Sequence, residues 1–153
     1  MRRCRYSAEV DDSIALEDLA RLVRRASQEL DKAIATCLGE TSVGRWHVLS
    51  AVADGSGRSM SQLTEATLLV GASLTRLIDA MISDNLVHRK VDDTDRRRVL
   101  VFPTRRGLLT YQVMNTAIAE SGLDALAADR GRLARALDGF IERLHAAEPV
   151  PAK

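Results

Sequence analysis

The chain has 153 residues, of which 46% are hydrophobic and 28% charged, and its formal net charge is +1. This composition is typical of one globular domain, with or without a dimerising extension, and gives no global indication of a nucleic-acid partner. Two cysteines, Cys4 and Cys37, are too few for a disulfide framework or a structural zinc site, and no apolar stretch is long enough for a signal peptide or a membrane span, so we expect a cytoplasmic protein.

The first predicted element is a long amphipathic helix between Ile14 and Leu38. Gly39 follows it as a plausible C-cap. Its apolar positions recur in alternating steps of three and four, which is the helical period, at Leu19, Val23, Ala26, Leu30, Ile34 and Leu38. A second helix follows a candidate N-cap at Ser42 and ends at the flexible turn DGSG; its helically spaced residues are Trp46, Leu49, Val52 and Ala53.

Two shorter helices come next. Ser59 is the N-cap of the first, and its inward positions are Met60, Leu63 and Ala66. The apolar face of the second consists of Leu74, Leu77, Ile78, Met81 and Ile82, while its first turns carry small and polar residues. Two short helices with a tight link predict a helix-turn-helix.

The pattern then changes to LVHRKV and RVLVFP, two β-type runs separated by DDTDRR, which predict a two-stranded hairpin that ends at Pro103. The positive charge of the chain is concentrated here, since His88–Arg106 contains seven basic and three acidic residues. Thr104 is the N-cap of a helix that reaches about Glu120, and Gly122 interrupts it. A last helix, from about Asp129 to Ala146, has one apolar face formed by Leu133, Leu137, Phe140, Ile141 and Leu144.

The order of elements predicts a mainly α fold with a small β-hairpin. A winged helix-turn-helix lobe would occupy residues 41–103. Residues 1–12 would form a flexible N-terminal arm, and the helices in 13–40 and 104–148 a dimerisation region, because their apolar stripes exceed what so small a core can cover. We therefore expect a homodimer.

From about Gly44 to Gly107 the residues resemble the MarR family of bacterial transcription regulators. Most specific are the wing turn Asp92–Arg97, followed by Thr104 and Gly107. Further matches are Trp46–Leu49, Ser73–Asp79 and Asn85–Arg89. Three positions depart from the family pattern: Asn85 replaces a common Gly and can adopt its positive φ, Pro103 replaces Leu at a strand end, and Gly71 removes a possible base contact.

The resemblance implies a repressor that binds a pseudo-palindromic double-stranded operator as a homodimer and is released by a small aromatic or amphipathic effector. Arg97 would enter the minor groove with Asp95 as its orienter, and Arg96 and Arg98 would contact phosphates. In the recognition helix, Gly71, Ala72, Ser73, Thr75 and Arg76 would face the major groove. Ser59 and Gln62 begin the preceding helix, where free N–H groups favour phosphate. Trp46 and His47 are candidate effector contacts.

Four alternatives remain at this point. A winged helix that binds a partner and has lost its DNA affinity is disfavoured by Arg76, Arg96 and Arg97. An enzyme is disfavoured, since His47, His88 and His145 lie on separate elements and neither a phosphate loop nor H-E-x-x-H occurs; we therefore predict no catalytic residue, metal or cofactor. An architectural DNA-binding protein without an effector would have the same wing and recognition helix. A redox-responsive regulator would act through Cys37 or Cys4; Glu40 disfavours a thiolate at Cys37, whereas Arg3 and Arg5 favour one at Cys4.

Overall fold

A computed structural model describes residues 6–39, 43–126 and 131–147 of the chain. Within these ranges the helices are α1 (Tyr6–Leu38), α2 (Val43–Val52), α3 (Met60–Thr67), α4 (Gly71–Ser83), α5 (Arg105–Glu120), α6 (Leu123–Leu126) and α7 (Leu133–Ala146), and the strands are β1 (Arg58–Ser59), β2 (Val87–Val91) and β3 (Val99–Pro103). The strands form one antiparallel sheet in the order β1-β3-β2. The predicted mainly helical fold with a winged helix-turn-helix is thereby confirmed.

Helix α1 is longer than predicted. It begins at Tyr6, so that residues 6–12, which we expected to belong to a flexible arm, are helical. The arm was predicted because the first residues of a domain are commonly poorly ordered, whereas here the helical backbone extends through residues 6–12. The helix ends as predicted: Gly39 has a φ of +83°, and its N–H donates to the Ala35 carbonyl at 2.7 Å. The predicted N-cap Ser42 lies outside the described residues.

The sheet has three strands instead of the predicted two. Arg58 and Ser59 form a short edge strand opposite Val101 and Leu100 of β3. Two residues are too few to show an alternating pattern, so this strand was missed. The DGSG segment before it is an ordered turn, because Asp54 accepts hydrogen bonds from the Ser56 N–H at 3.1 Å and from the Arg58 guanidinium at 2.7 Å.

The core joins α2, α3 and α4 to the sheet. Its buried side chains come from every one of these elements and from the residue before β2: Val48, Leu49, Val52, Leu63, Leu74, Ile78, Met81, Leu86, Val87 and Val101. Burying one such side chain stabilises a fold by about 1.5–3 kcal/mol. Of the residues predicted to face inward from α3, Leu63 is buried and Met60 is half-buried, but Ala66 is exposed. We call α2 through β3, built on this core, the DNA-binding lobe, after the role that the sequence predicts for it.

A compact junction closes the lobe where β2 and α5 begin. Asn85 has a φ of +56°, which confirms that it takes the conformation usually given to glycine. The Thr104 hydroxyl donates to the Asn85 carbonyl at 2.6 Å and accepts from the Gly107 N–H at 2.9 Å, so Thr104 is the predicted N-cap. The Thr104 N–H donates to the Leu86 carbonyl at 3.0 Å. These bonds fix α5 to the end of α4.

No described helix is by itself long and apolar enough to span a membrane. Helices α3 and α4 reach the required length and apolarity only when taken together, and they are bent by 104° relative to each other. Their large apolar side chains, Leu63, Leu74, Ile78 and Met81, lie in the core of the DNA-binding lobe.

The junction generates a stability prediction. In Gly107→Ala the new Cβ would overlap the Leu86 carbonyl oxygen, so we expect the free energy of unfolding to fall by about 2–3 kcal/mol. Gly139→Ala is the matched control, because a Cβ there meets no atom within 4 Å inside α7 and should raise stability by about 0.5–1 kcal/mol. Urea unfolding at one fixed protein concentration measures both values. Equal stabilities for the two variants would contradict the role of the junction.

Candidate nucleic-acid interface

Helix α4 has a buried face and an exposed face. Leu74, Ile78 and Met81 are spaced three and four residues apart, and the core anchors all three. The predicted recognition residues lie off this face and are all exposed: Gly71, Ala72, Ser73, Thr75 and Arg76. Because the core anchors the opposite face of α4, the small and polar side chains of its first two turns face solvent.

The first turn of α4 is unusual in its backbone. Gly71 has a φ of +55°, a conformation that side chains with a Cβ rarely adopt. The backbone conformation, and not a lack of space, explains why this residue is a glycine, since a Cβ at this position would meet no atom within 4 Å. The Thr75 hydroxyl donates to the Gly71 carbonyl at 3.3 Å, and the first turn contains no acidic residue. Free N–H groups and the helix dipole make this end electropositive.

Ser59 and Gln62, two predicted phosphate contacts, form a capping box at the start of α3. The Gln62 N–H donates to Ser59 Oγ at 3.3 Å, and the Ser59 N–H donates to Gln62 Oε1 at 2.9 Å. Both side chains thus have a structural role as acceptors. The Ser59 hydroxyl proton and the Gln62 amide group keep their capacity to donate. A phosphate contact stays compatible with this arrangement.

The wing, which we define as β2, β3 and their connecting turn (residues 87–103), has an ordered tip. The Asp92 N–H donates to the Arg98 carbonyl, and the Arg98 N–H donates to the Asp95 carbonyl, each at 2.9 Å. The Asp92 carboxylate accepts from the backbone N–H of Thr94 at 2.9 Å and from its hydroxyl at 2.7 Å. The bonds to Thr94 hold the pKa of Asp92 below its usual value, because they stabilise the charged carboxylate.

Asp95 contacts Arg97 through the main chain. Its carboxylate accepts from the backbone N–H of Arg97 at 3.0 Å, rather than from the guanidinium. An aspartate two residues before an N–H closes an Asx turn more readily than it reaches the end of a long flexible side chain. Asp95 therefore orients Arg97 through the main chain, and the guanidinium points into solvent.

The wing cations fall into two groups. Arg89 and Lys90 on β2 are neutralised, since Arg89 pairs with Asp79 of α4 at 2.8 Å and Lys90 pairs with Asp93 at 2.6 Å. Among the described residues, no carboxylate lies within 4 Å of the guanidinium nitrogens of the exposed tip residues Arg96, Arg97 and Arg98, or of Arg76 on α4. Within residues 43–103, the lysines and arginines without a carboxylate partner are therefore those of the wing tip and Arg76 on α4.

The Arg89–Asp79 pair is a functional feature that sequence reasoning missed. The two residues lie on different elements, and no local pattern links them. An exposed ion pair stabilises a protein by at most about 1 kcal/mol. This one nevertheless connects the wing directly to α4, so it helps to hold the two predicted DNA-contacting elements in one orientation.

Trp46 and His47 lie where α1, α2 and α5 meet. The Trp46 indole N–H donates to Asn115 Oδ1 at 2.8 Å, and His47 Nε2 is 3.3 Å from Asp31 Oδ1. Both side chains are half-buried, and their rings meet edge to face at 5.0 Å. Through these contacts, Trp46 connects α5 and His47 connects α1 to the DNA-binding lobe.

An open cavity of about 380 Å³ lies along α5, and neither Trp46 nor His47 lines it. Its lining consists of Leu109, Gln112, Val113, Thr116, Ala117 and Glu120. The structure thus separates the predicted effector residues from this cavity.

Cys37 is half-buried, and its thiol lies 3.4 Å from the Ala33 carbonyl of the same helix. This is the environment of a structural cysteine, and it offers no support for a redox role. Cys4 lies outside the described residues. Within the part of the chain that the structure describes, no group of three or more His, Cys, Asp or Glu residues could hold a metal ion.

Comparisons with known proteins point in the same direction as the geometry. Residues 41–98 match the model of the MarR family. No curated protein matched the chain in sequence.

Three solved structures share the fold. The transcriptional regulator BldR from Sulfolobus solfataricus is 22% identical, with a TM-score of 0.66 over 90% of this chain and 97% of that one. A mutant MarR from E. coli in complex with operator DNA is 19% identical, with a TM-score of 0.65 over 85% and 95% of the two chains. BpsR from Bordetella bronchiseptica, whose DNA binding is regulated by 6-hydroxynicotinic acid, is 22% identical, with a TM-score of 0.62 over 84% and 92%.

MarR-family proteins are transcriptional regulators rather than enzymes, in agreement with the prediction that this chain has no catalytic function. Residues 41–98, which contain the helix-turn-helix and most of the wing, are thus similar to the MarR family, and the chain as a whole has the fold of MarR-type transcriptional regulators.

Proposed function

We propose that the protein is a homodimeric repressor that binds a pseudo-palindromic operator and leaves it when a small molecule binds. The proposal rests on one observation: some cations of the DNA-binding lobe are paired with carboxylates and others are not. Cations on β2 are neutralised by carboxylates, while Arg76, Arg96, Arg97 and Arg98 are exposed and unpaired among the described residues. Unpaired arginines on one lobe favour binding to the phosphates of duplex DNA, which releases condensed counterions.

The residue roles follow from position in the lobe. Arg97 at the rigid tip of the wing enters the minor groove, with Asp95 holding its backbone, and Arg96 and Arg98 contact nearby phosphates. The exposed residues at the start of α4 face the major groove, where small side chains allow close approach: Gly71, Ala72, Ser73, Thr75 and Arg76. Ser59 and Gln62 donate to a phosphate at the start of α3. The complex of a MarR protein of the same fold with operator DNA supports this assignment.

Dimerisation is supported by apolar surface that the single chain leaves exposed. Leu133, Leu137, Ile141 and Leu144 form one exposed face of α7, and Leu16, Leu22 and Leu30 of α1 and Val113 of α5 are exposed as well. A stable monomer rarely exposes so many large apolar residues on neighbouring helices. We infer that these helices, within residues 13–40 and 104–148, pair with a second copy, and that each lobe then reads one half-site about one helical turn from the other.

Release by an effector is supported by BpsR, which has this fold and whose DNA binding responds to 6-hydroxynicotinic acid. In this chain, Trp46 offers an aromatic face and His47 a polar group where the terminal helices join the lobe. A small aromatic molecule that replaced the Trp46–Asn115 bond would change how α2 sits on α5. It would then shift the dimer toward a lobe separation that no longer matches the two half-sites.

The wing assignment is tested with a duplex that the protein selects from a random library. In Arg97→Ala we expect the affinity for this duplex to fall at least about tenfold. The slope of log K against log salt concentration should fall by about 2, because a dimer loses two arginines. Arg24→Ala removes an exposed arginine of α1 and is the matched control, which should bind as the wild type does. Unchanged affinity and slope in Arg97→Ala would reject the assignment.

The dimer is tested on α7. Leu137→Glu places a carboxylate in the exposed apolar face, so we expect the dimer to dissociate in sedimentation equilibrium and operator affinity to fall with it. Arg135→Glu introduces the same side chain on the opposite side of α7 and should leave the dimer intact. A wild-type protein that sediments as a monomer, or equal behaviour of the two variants, would contradict this interface.

A further inference from the structure

The connection between α3 and α4 exposes two large apolar side chains. Leu68 is 79% exposed and Val70 is 68% exposed, whereas Leu69 between them is half-buried and packs against the core. The Leu69 N–H donates to the Thr67 hydroxyl at 3.3 Å, and Thr67 is itself buried. The connection is therefore anchored at Thr67 and Leu69, and its two outer side chains are held toward solvent.

Neither of the two exposed residues, Leu68 and Val70, is of a type that its backbone conformation favours. Leu68 has a φ of +56°, in the left-handed region that disfavours residues with a Cβ and suits Gly or Asn. Val70 is the N-cap of α4, with φ −122° and ψ 151°, and makes no side-chain capping bond. Ser, Thr, Asp or Asn would cap the helix there, and valine is among the least favoured residues at an N-cap.

Neither residue contributes to the core or to capping, so folding does not explain two apolar side chains in this connection. When a sequence departs from local preferences at exposed positions without a compensating contact, the departure points to a function. The side chains therefore indicate contact with an apolar group outside the lobe.

The position of the connection identifies that group. Val70 directly precedes Gly71, Ala72 and Ser73, the exposed start of the proposed recognition helix, where no acidic side chain would repel DNA. The apolar group that B-DNA presents in its major groove is the C5 methyl of thymine. We propose that Leu68 and Val70 are specificity-determining residues that contact thymine methyl groups in each half-site. This inference rests on the proposed operator binding and adds to it the base that these two residues read.

The test uses uracil, which pairs as thymine does but lacks the methyl group. The probe is the duplex selected by the wild-type protein from a random library, with each thymine replaced by uracil in turn. Because burying one methyl-sized group stabilises a complex by about 0.8 kcal/mol, we expect about fourfold weaker binding at one or two positions in each half-site. Fluorescence anisotropy at fixed salt measures the affinities.

Val70→Ser and Val70→Ala assign the effect to the side chain. Both variants lose the methyl groups of Val70, so both should bind the thymine duplex more weakly and lose the uracil effect at one position. Serine can also cap α4, so Val70→Ser should melt roughly 2–4 °C above Val70→Ala. Leu68→Asn, which suits a positive φ, should remove the uracil effect at the other position without unfolding the protein.

The outcomes are distinguishable. If the wild type binds a selected duplex but is indifferent to uracil at every position, or if the variants keep the same uracil effect, the inference is wrong while the proposed repressor function stands. If the variants change the oligomeric state rather than the uracil effect, the surface contacts a second copy and the inference is also overturned. If no duplex is selected at all, the proposed function itself fails.

Discussion

The structure depends on the junction at the Leu86 carbonyl, where the end of α4, the base of the wing and the start of α5 meet. This oxygen accepts from the Thr104 N–H, and Gly107 allows α5 to pass beside it at a distance that a Cβ would not permit. Without this close approach, α5 could not continue directly from the wing. Because α5 also carries Asn115, which bonds Trp46 of α2, the helix contacts both ends of the DNA-binding lobe. A movement of α5 would therefore move the lobe as a unit.

The distribution of charge follows from that rigid frame. The Arg89–Asp79 pair connects the wing to α4, and Lys90–Asp93 neutralises the strand next to the turn. Two aspartates of the turn accept from backbone N–H groups, Asp92 from Thr94 and Asp95 from Arg97, and among the described residues neither lies within ion-pair distance of a tip guanidinium. In a segment of mixed sign, the carboxylates thus shape the wing and the guanidiniums remain free. Net charge alone could not reveal this, because the chain carries only +1.

Features that depend on neighbouring residues were predictable from the sequence. The helical stripes, the Thr104 cap, the strand end at Pro103 and the positive φ of Asn85 all follow from local periodicity and backbone chemistry. Features that depend on residues far apart in the chain, or on very few residues, could not be predicted from the sequence. The two-residue strand β1 shows no period, the Arg89–Asp79 pair requires the folded lobe, and Asp95 has several donors within reach. The exposure of Val70 could not be predicted either, because an apolar residue before a helix is ordinarily expected to lie in the core.

The apolar residues of the chain fall into two sets, those buried in the core of the lobe and those exposed on the terminal helices. The core of the DNA-binding lobe covers its own side chains, from Val48 to Val101, so the lobe can keep one shape whether or not DNA is bound. Helix α7 has no buried residue within the described chain, so the single chain does not cover its apolar face. We propose that a second copy covers this face and that the geometry of the packing sets the distance between lobes. A rigid lobe combined with an adjustable spacing would let a two-site DNA-binding protein respond to a small molecule. The exposed Leu68 and Val70 lie on the lobe and outside its core, and the proposed contact with thymine methyl groups would account for them.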